Sequence, residues 1–402
     1  MTGFSTLSGV VLALALIATA GAVRRSPRQL HALAPPFWLL SWSAQTFALP
    51  LIVISASILL WILLQNKSLP AIHAGTLLYT ITIFLFLHWR NWRIYFSLNT
   101  SQHLGITILT GLNPFKIDKS KVTKLRDIPY GSEHPRQKLD LYLPSQAPNL
   151  RIIDANANRP ILLQVHGGAW ITGDKGSQAR PMLYYFASQG WICASINYSL
   201  APKNKFPAML HDTLRALNWL NTHGKKYGGD PNFIAITGGS AGGHIASLAA
   251  LISGNPNREQ EFHYAKFKVA AALPLYGRYD FLDQADVLGS TKSGLAKFLR
   301  TKVMPCSEEE KRTLWELASP VSMIDKHAPP FYIIHGINDS LIPVEEARHF
   351  AEKIKSVSTT EVKYSELHGA QHAFDLLSTP ASEAIAIAAN IFLNGIHKER
   401  YK

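Results

Sequence analysis

The stretch FIAITGGSAGGHIASLAA, Phe233 to Ala250, decides the reading of the whole chain. It sets an apolar run, four glycines grouped around one serine, and a second apolar run back to back. Phe233 to Thr237 has the length and composition of a short buried strand, and Ile245, Leu248 and Leu251 or Ile252 recur at helical spacing. Between them, Gly238-Gly239-Ser240-Ala241-Gly242 fits Gly-x-Ser-x-Gly, a sharp strand-to-helix turn that holds a serine in strained backbone geometry with its hydroxyl exposed. Glycine is the residue that lets strand and helix approach there. A βα turn with glycines for packing, or a phosphate-binding loop on a helix N-terminus, would use the same five residues. The pentapeptide therefore needs partners elsewhere in the chain.

The surroundings supply them. From about Asp127 onward, short apolar runs alternate with helical stretches, the pattern of a mostly parallel sheet with helices on both faces. Expected strands are Leu139 to Leu143, Ile161 to Val165, Ile192 to Asn197, Phe233 to Thr237, Val269 to Leu275, Phe331 to His335 and Val362 to Glu366. Expected helices are Ala179 to Ser188, Ala208 to His223, Ala241 to Ser253, Val344 to Val357 and Ser382 to Gly395, with a helical insertion over Asp283 to Ala318. In such sheets ligands sit beyond the carboxyl ends of the strands. The strand ends deliver HGGAW (His166 to Trp170), GGSAGG around Ser240, GINDSLIP with Asp339, and LHGAQHAF with His372.

A serine hydroxyl is a poor nucleophile at neutral pH and needs a base to take its proton. The base in turn needs an anion to fix its tautomer. Ser240, His372 and Asp339 fill those roles, in the chain order Ser, Asp, His that this architecture imposes. Backbone amides within Gly167, Gly168 and Ala169, together with that of Ala241, are the expected oxyanion donors. His368 is the alternative base and Asp280 the alternative acid. His166 is expected to brace the oxyanion loop, His244 to pack behind the nucleophile, and Asp174 and Asp212 to support loops. Trp170, Tyr198 and Phe206 are candidates for a substrate pocket, with core packing as the alternative reading.

The ordered motifs HGGAW, INYSLAP, GGDPNFIAITGGSAGGH, YGRYDF, HGINDSLIP and GAQHAF resemble the α/β-hydrolase fold in its hormone-sensitive-lipase-like and arylformamidase-like carboxylesterase branch. The likeness covers roughly Asp127 to Gly395. Preceded by apolar segments, the chain is most similar to membrane-anchored bacterial esterases of that branch. The resemblance implies a serine hydrolase of carboxylic esters with Ser240 as nucleophile, Asp339 as acid and His372 as base, needing no metal or organic cofactor. The same triad serves amide or formamide cleavage in arylformamidases. A non-catalytic membrane scaffold on a hydrolase body is a further reading, opposed by the intact triad. Ala169 stands where many relatives have a third glycine. The soluble cap helices of some relatives are absent from the chain's N-terminal part.

That part is the most apolar. Gly3 to Val23, Phe37 to Leu64 and Leu69 to Trp89 contain no Asp, Glu, Lys or Arg, and Lys67 is the one charge between the last two. At about 1.5 Å per residue each is long enough to cross a bilayer core of about 30 Å. Three transmembrane helices are expected over residues 1–93, then a basic juxtamembrane linker over 94–126 and the catalytic domain over 127–402. RRSPR follows the first segment where a small-residue cleavage site would suit a signal peptide. Trp38, Trp42, Trp61, Trp89 and Trp92 resemble an interfacial belt. Arg24, Arg25, Arg28, Arg90 and Arg93 put the catalytic domain on the cytoplasmic side of a multi-pass integral membrane protein.

The formal charge of +13 is partly local, in Lys116, Lys119, Lys121, Lys124 and Arg126, and suits anionic lipid headgroups. Nucleic acid is excluded as a partner by the lack of zinc spacing, a helix-turn-helix or an aromatic RNA platform. Cys193 and Cys306 form neither a disulfide framework nor a metal site. The expected partners are a small-molecule or lipid ester substrate and membrane lipids.

Overall fold

A computed structural model describes residues 34–64, 71–98, 109–145, 157–253, 255 and 267–402. The chain divides into two units. One comprises residues 117–335, 342–366 and 386–402, and the other residues 1–116, 336–341 and 367–385.

The larger unit is organised by an eight-stranded sheet in the order β1-β2-β4-β3-β5-β6-β7-β8. Its strands are β1 (Val122–Pro129), β2 (Lys138–Pro144), β3 (Arg159–Val165), β4 (Ile192–Ile196), β5 (Gly229–Gly239), β6 (Ala271–Leu275), β7 (Phe331–Gly336) and β8 (Val362–Leu367). β1 and β2 pair antiparallel, as do β2 and β4, whereas β4, β3, β5, β6 and β7 run parallel. The central strands are buried along almost their whole length, which is why they read as continuous apolar runs rather than alternating ones. β1 starts inside the stretch expected to be a basic linker. Its residues are half-buried or exposed because it forms the edge of the sheet, so charge there carries little cost.

The helices of this unit include α4 (Arg180–Ser188), α5 (Ala208–His223), α6 (Ala241–Ile252) and α9 (Val344–Val357). α7 (Lys292–Phe298) and α8 (Arg312–Leu317) lie in the expected helical insertion, joined by a π-helical turn at Leu299–Val303. α10 (Pro380–Arg400) starts and ends a few residues outside its expected limits. α6 is buried throughout, with Ile245, Leu248 and Leu251 in the same core as Ile161, Leu163, Ile234 and Ile236 of the sheet.

The smaller unit contains α1 (Ala34–Thr46), α2 (Ala48–Leu64) and α3 (Ala71–Ser97). Ala44, Ala48, Ile83, Phe84 and Leu87 form its own apolar cluster. The three expected spans fare differently. The first, residues 3–23, lies outside the described residues. The second, 37–64, is not one helix but two, meeting at Phe47 with a bend of 68° between Pro35–Thr46 and Ala48–Ser57. The cause is local: Phe47 and Leu51 still donate to Ser43 and Phe47, but Pro50 has no N–H to offer Thr46 and its ring crowds the preceding turn. The third runs on past Trp89 to Ser97 and takes in Arg90 and Arg93. Among the described residues no single helix is long and apolar enough to cross a membrane, and only the bent pair passes on length and composition. A multi-pass arrangement therefore has no support in the structure.

Candidate active site

Ser240 sits between β5 and α6 with φ 57° and ψ −122°, a left-handed backbone that a side-chain-bearing residue adopts only when its surroundings enforce it. Two features enforce it. The Ser240 amide donates to the Leu275 carbonyl of β6 at 3.0 Å. A side chain at Gly238 would meet the Gly242 carbonyl group at 2.5 Å and the Val165 carbonyl at 2.7 Å, so the chain reverses there at closer range than any other residue allows. Ser240 itself is half-buried.

β3 and β5 are neighbours with Val165 paired to Gly238, so the loop after β3 and the turn after β5 emerge side by side. A Cβ placed on Gly167 would lie 3.2 Å from the Ser240 Cβ. Gly168 at φ 121°, Ala169 at φ 51° and Trp170 at φ 65° turn this loop through consecutive left-handed residues. Among the described residues no hydrogen bond occupies the amides of Gly168 and Ala169, whereas the Gly167 amide donates to Gln178 Oε1 at 2.6 Å. Gly167 thus supplies shape rather than a donor. Ala241 opens α6, where amides point away from the helix.

The loop is braced from beneath. His166 Nδ1 lies 2.8 Å from the Gly167 carbonyl, and its Nε2 lies 3.3 Å from Arg136 Nη2. Burial drives the His166 pKa down to about 4, so the ring is neutral: Nδ1–H donates and Nε2 accepts from the guanidinium. Tyr198 stacks on that ring, centroids 4.2 Å apart, and donates its hydroxyl to the His166 carbonyl at 2.8 Å. Trp170 donates its indole N–H to His244 Nδ1 at 3.1 Å, and His244 Nε2 lies 2.7 Å from the Ala318 carbonyl. His244 is held down to about 3 by burial and is therefore the neutral Nε2–H tautomer. Trp170, Tyr198 and Phe206 are all buried in the core, which fits the packing alternative rather than the pocket one.

In the other unit Asp339 lies in the segment after β7 and His372 in the segment after β8. His372 Nδ1 and Asp339 Oδ2 are 2.6 Å apart and both side chains are buried. The Leu341 amide donates to Asp339 Oδ1 at 2.8 Å, fixing the carboxylate from its other oxygen. His368 is exposed. Asp280 accepts from the amides of Leu282 and Gln284 at 2.9 and 2.5 Å and serves its own turn. Asp212 takes Gln137 Nε2 and the Ser199 amide at 2.7 and 2.8 Å, and Asp174 takes Asn197 and the Gly176 amide, both structural roles. Sequence reasoning missed Gln178 and Arg136, whose contacts join residues 11 and 30 positions apart with no local motif.

A mostly parallel eight-stranded sheet, with a strained serine at the end of a central strand and a glycine loop beside it, defines an α/β-hydrolase fold. The BD-FAE family profile matches residues 139–354, more than half of the chain, and the chain belongs to that family. It is 42% identical over 275 residues to the probable carboxylic ester hydrolase LipM of Mycobacterium tuberculosis, covering 68% of this chain and 62% of LipM. It is 39% identical over 275 residues to esterase LipQ of the same organism, covering 68% of this chain and 63% of LipQ. The chain therefore spans less than two thirds of the length of these relatives. Among solved structures, Esterase B of Lactobacillus rhamnosis aligns with a TM-score of 0.59 at 23% identity, covering 71% of this chain and 89% of Esterase B, a likeness of fold.

Proposed function

We propose that this chain is a serine carboxylic ester hydrolase, anchored to a membrane through its N-terminal helices and acting on lipophilic or acylated esters. The observation that carries the reading is Ser240 held at φ 57° on the β5–α6 turn beside the glycine loop. The Asp339–His372 pair at 2.6 Å and the ester-hydrolase relatives support it.

In this reading Ser240 Oγ attacks the ester carbonyl as His372 Nε2 takes its proton. Asp339 holds the Nδ1–H tautomer and stabilises the imidazolium. The carbonyl oxygen becomes an oxyanion facing the amides of Gly168, Ala169 and Ala241, where each donor is typically worth about 2.7–4 kcal/mol. The imidazolium returns its proton to the departing alcohol, leaving the acyl group on Ser240. Water then takes the same path, with His372 as base, and releases the acid.

Membrane anchoring is supported by exposed apolar side chains on α2 (Val53, Ile54, Leu60, Trp61, Leu64) and α3 (Leu78, Leu85, Phe86, Trp89). Contact with lipid would bring the hydrolase near lipophilic esters.

Ser240→Ala tests the assignment. Hydrolysis of a p-nitrophenyl ester by the full chain in detergent should fall by a factor on the order of 10⁴ or more, and labelling by a fluorophosphonate should vanish. Retained turnover by the purified variant would reject Ser240 as nucleophile, and an unlabelled wild type would favour the scaffold reading. An N-formyl aromatic amide assayed alongside separates esterase from formamidase.

A further inference from the structure

The loop that carries His372 has no regular structure of its own. Residues 368–379 are turns and bends, and Ala373 stands at φ 65°, a left-handed conformation that costs on the order of 1–3 kcal/mol unless its neighbours impose it. Its backbone carbonyls cannot be paired within a ladder, yet the segment is buried, and buried carbonyls need donors.

α1 supplies them from more than three hundred residues away in sequence. Trp38 Nε1 donates to the His372 carbonyl at 2.8 Å, and Trp42 Nε1 donates to the Ala373 carbonyl at 2.9 Å. Gln45 Nε2 donates to the Gly369 carbonyl. The three side chains stand at i, i+4 and i+7 and so form one stripe along the helix. The Trp38 ring also meets the His372 imidazole edge-on, with centroids 6.3 Å apart and planes at 79°. α1 is itself tied down, because Asn91 Nδ2 of α3 donates to the Gln45 carbonyl at 3.0 Å. The Arg90 guanidinium of α3 lies against Gly369, which at φ 90° needs to be glycine.

We infer that Trp38, Trp42 and Gln45 are positioning residues, which fix the base-bearing loop so that the His372 imidazole keeps one orientation. This rests on His372 being the catalytic base. The hydrogen bonds act on main-chain carbonyls and Asp339 takes Nδ1, while Nε2 is the atom that must exchange protons with Ser240 and the leaving group. An indole is well suited to the task. It offers a single donor on a large rigid ring, so the hydrogen bond fixes direction as well as distance.

The test replaces each indole with a ring that lacks the donor. In the full chain in detergent, Trp38→Phe and Trp42→Phe, singly and together, should lower kcat for a p-nitrophenyl ester about five- to tenfold per donor, with KM within twofold of wild type. The rate is counted per active serine titrated by a fluorophosphonate, so loss of folded protein does not register as loss of turnover. Unchanged kcat per titrated serine in both single variants would overturn the inference, whatever their melting temperatures. Should the double variant not fold, the single Trp38→Phe change, which removes only the donor to His372, decides the question. Ser240→Ala run in parallel separates the two readings: if it abolishes turnover while the tryptophan variants match wild type, positioning fails and the triad stands. If Ser240→Ala retains turnover, the triad itself has failed.

Discussion

Gly242→Ala puts the geometry around Ser240 to a quantitative test. Gly242 lies in the first turn of α6, where alanine is the better helix former by up to about 1 kcal/mol. Propensity alone predicts stabilisation. The surroundings predict the reverse, because a Cβ there would stand 2.7 Å from the His166 carbonyl oxygen and 2.8 Å from its carbon, with the Val165 oxygen nearer still. Ordinary carbon contacts begin near about 3.5 Å. The overlapped atoms are main chain at the end of β3, which is paired on both sides with β4 and β5 and has no side-chain freedom to yield. Overpacking of this kind costs about 1–3 kcal/mol even when side chains can adjust. We therefore expect a net loss of about 2 kcal/mol or more, a fall of roughly 4–8 °C in Tm for a domain of this size. Any relief moves the His166–Gly167 segment away from Ser240, and a 1 Å error in a reacting constellation costs about 100-fold. Gly395→Ala is the matched control: it is exposed in α10 with nothing within 4 Å of its added methyl, and should raise stability by about 0.5–1 kcal/mol. Differential scanning of both variants, with p-nitrophenyl ester turnover, checks the pair. A Gly242→Ala protein melting within 2 °C of wild type and fully active would refute the steric argument.

Acid should cost the protein the stability carried by two buried histidines. His166 and His244 are held neutral by burial, at about 4 and about 3, against an ordinary value near 6.5, so the unfolded chain binds protons that the folded chain refuses. Their contribution is complete above about pH 6.5 and is lost as pH falls toward the folded values, at up to about 1.4 kcal/mol per pH unit for each ring. Between pH 8 and pH 5.5, His244→Gln should reduce the acid-induced loss of stability, measured by urea unfolding, by that ring's share of about 1.4 kcal/mol. The same pH dependence in His244→Gln and wild type would contradict the buried neutral state. The Arg278–Glu346 pair, 2.5 Å apart with both side chains buried, gives a last prediction. Burial pushes Glu346 upward while Arg278 opposes it, and the second oxygen takes the Tyr279 amide at 3.2 Å. Glu346→Ala leaves a buried cation alone and should cost about 3–5 kcal/mol, whereas an Arg278→Met/Glu346→Leu double change should cost much less. Equal losses in both denaturation curves would show that packing, not charge, holds this site.

The parts of the fold that the sequence made legible are those whose causes lie within a few residues. β5, Ser240 and α6 follow one another directly, so their apolar periods and glycines sit in a single window. The parallel strands are legible for a similar reason: burial on both faces leaves short, uninterrupted apolar runs. β1 was hidden because an edge strand such as VTKLRDIP can keep its arginine in water and pair its lysine with Asp140 of the neighbouring strand, which makes it look like a charged linker. The break at Phe47 was written in Pro50, but a hydropathy reading of the uncharged stretch gives proline no weight.

Trp38 and Trp42 show where a local reading must fail. In a run of apolar residues two tryptophans near a helix end look like anchors in a lipid interface, since the indole N–H is then satisfied by headgroups and water. The structure satisfies the same N–H groups with the carbonyls of His372 and Ala373, and no window of sequence contains both partners. The environment of Ser240 is thus encoded by a contiguous motif, whereas His372 is held by residues that become its neighbours only after folding. Substitutions around Ser240 should accordingly act through sterics at close range, and those in α1 through orientation at a distance.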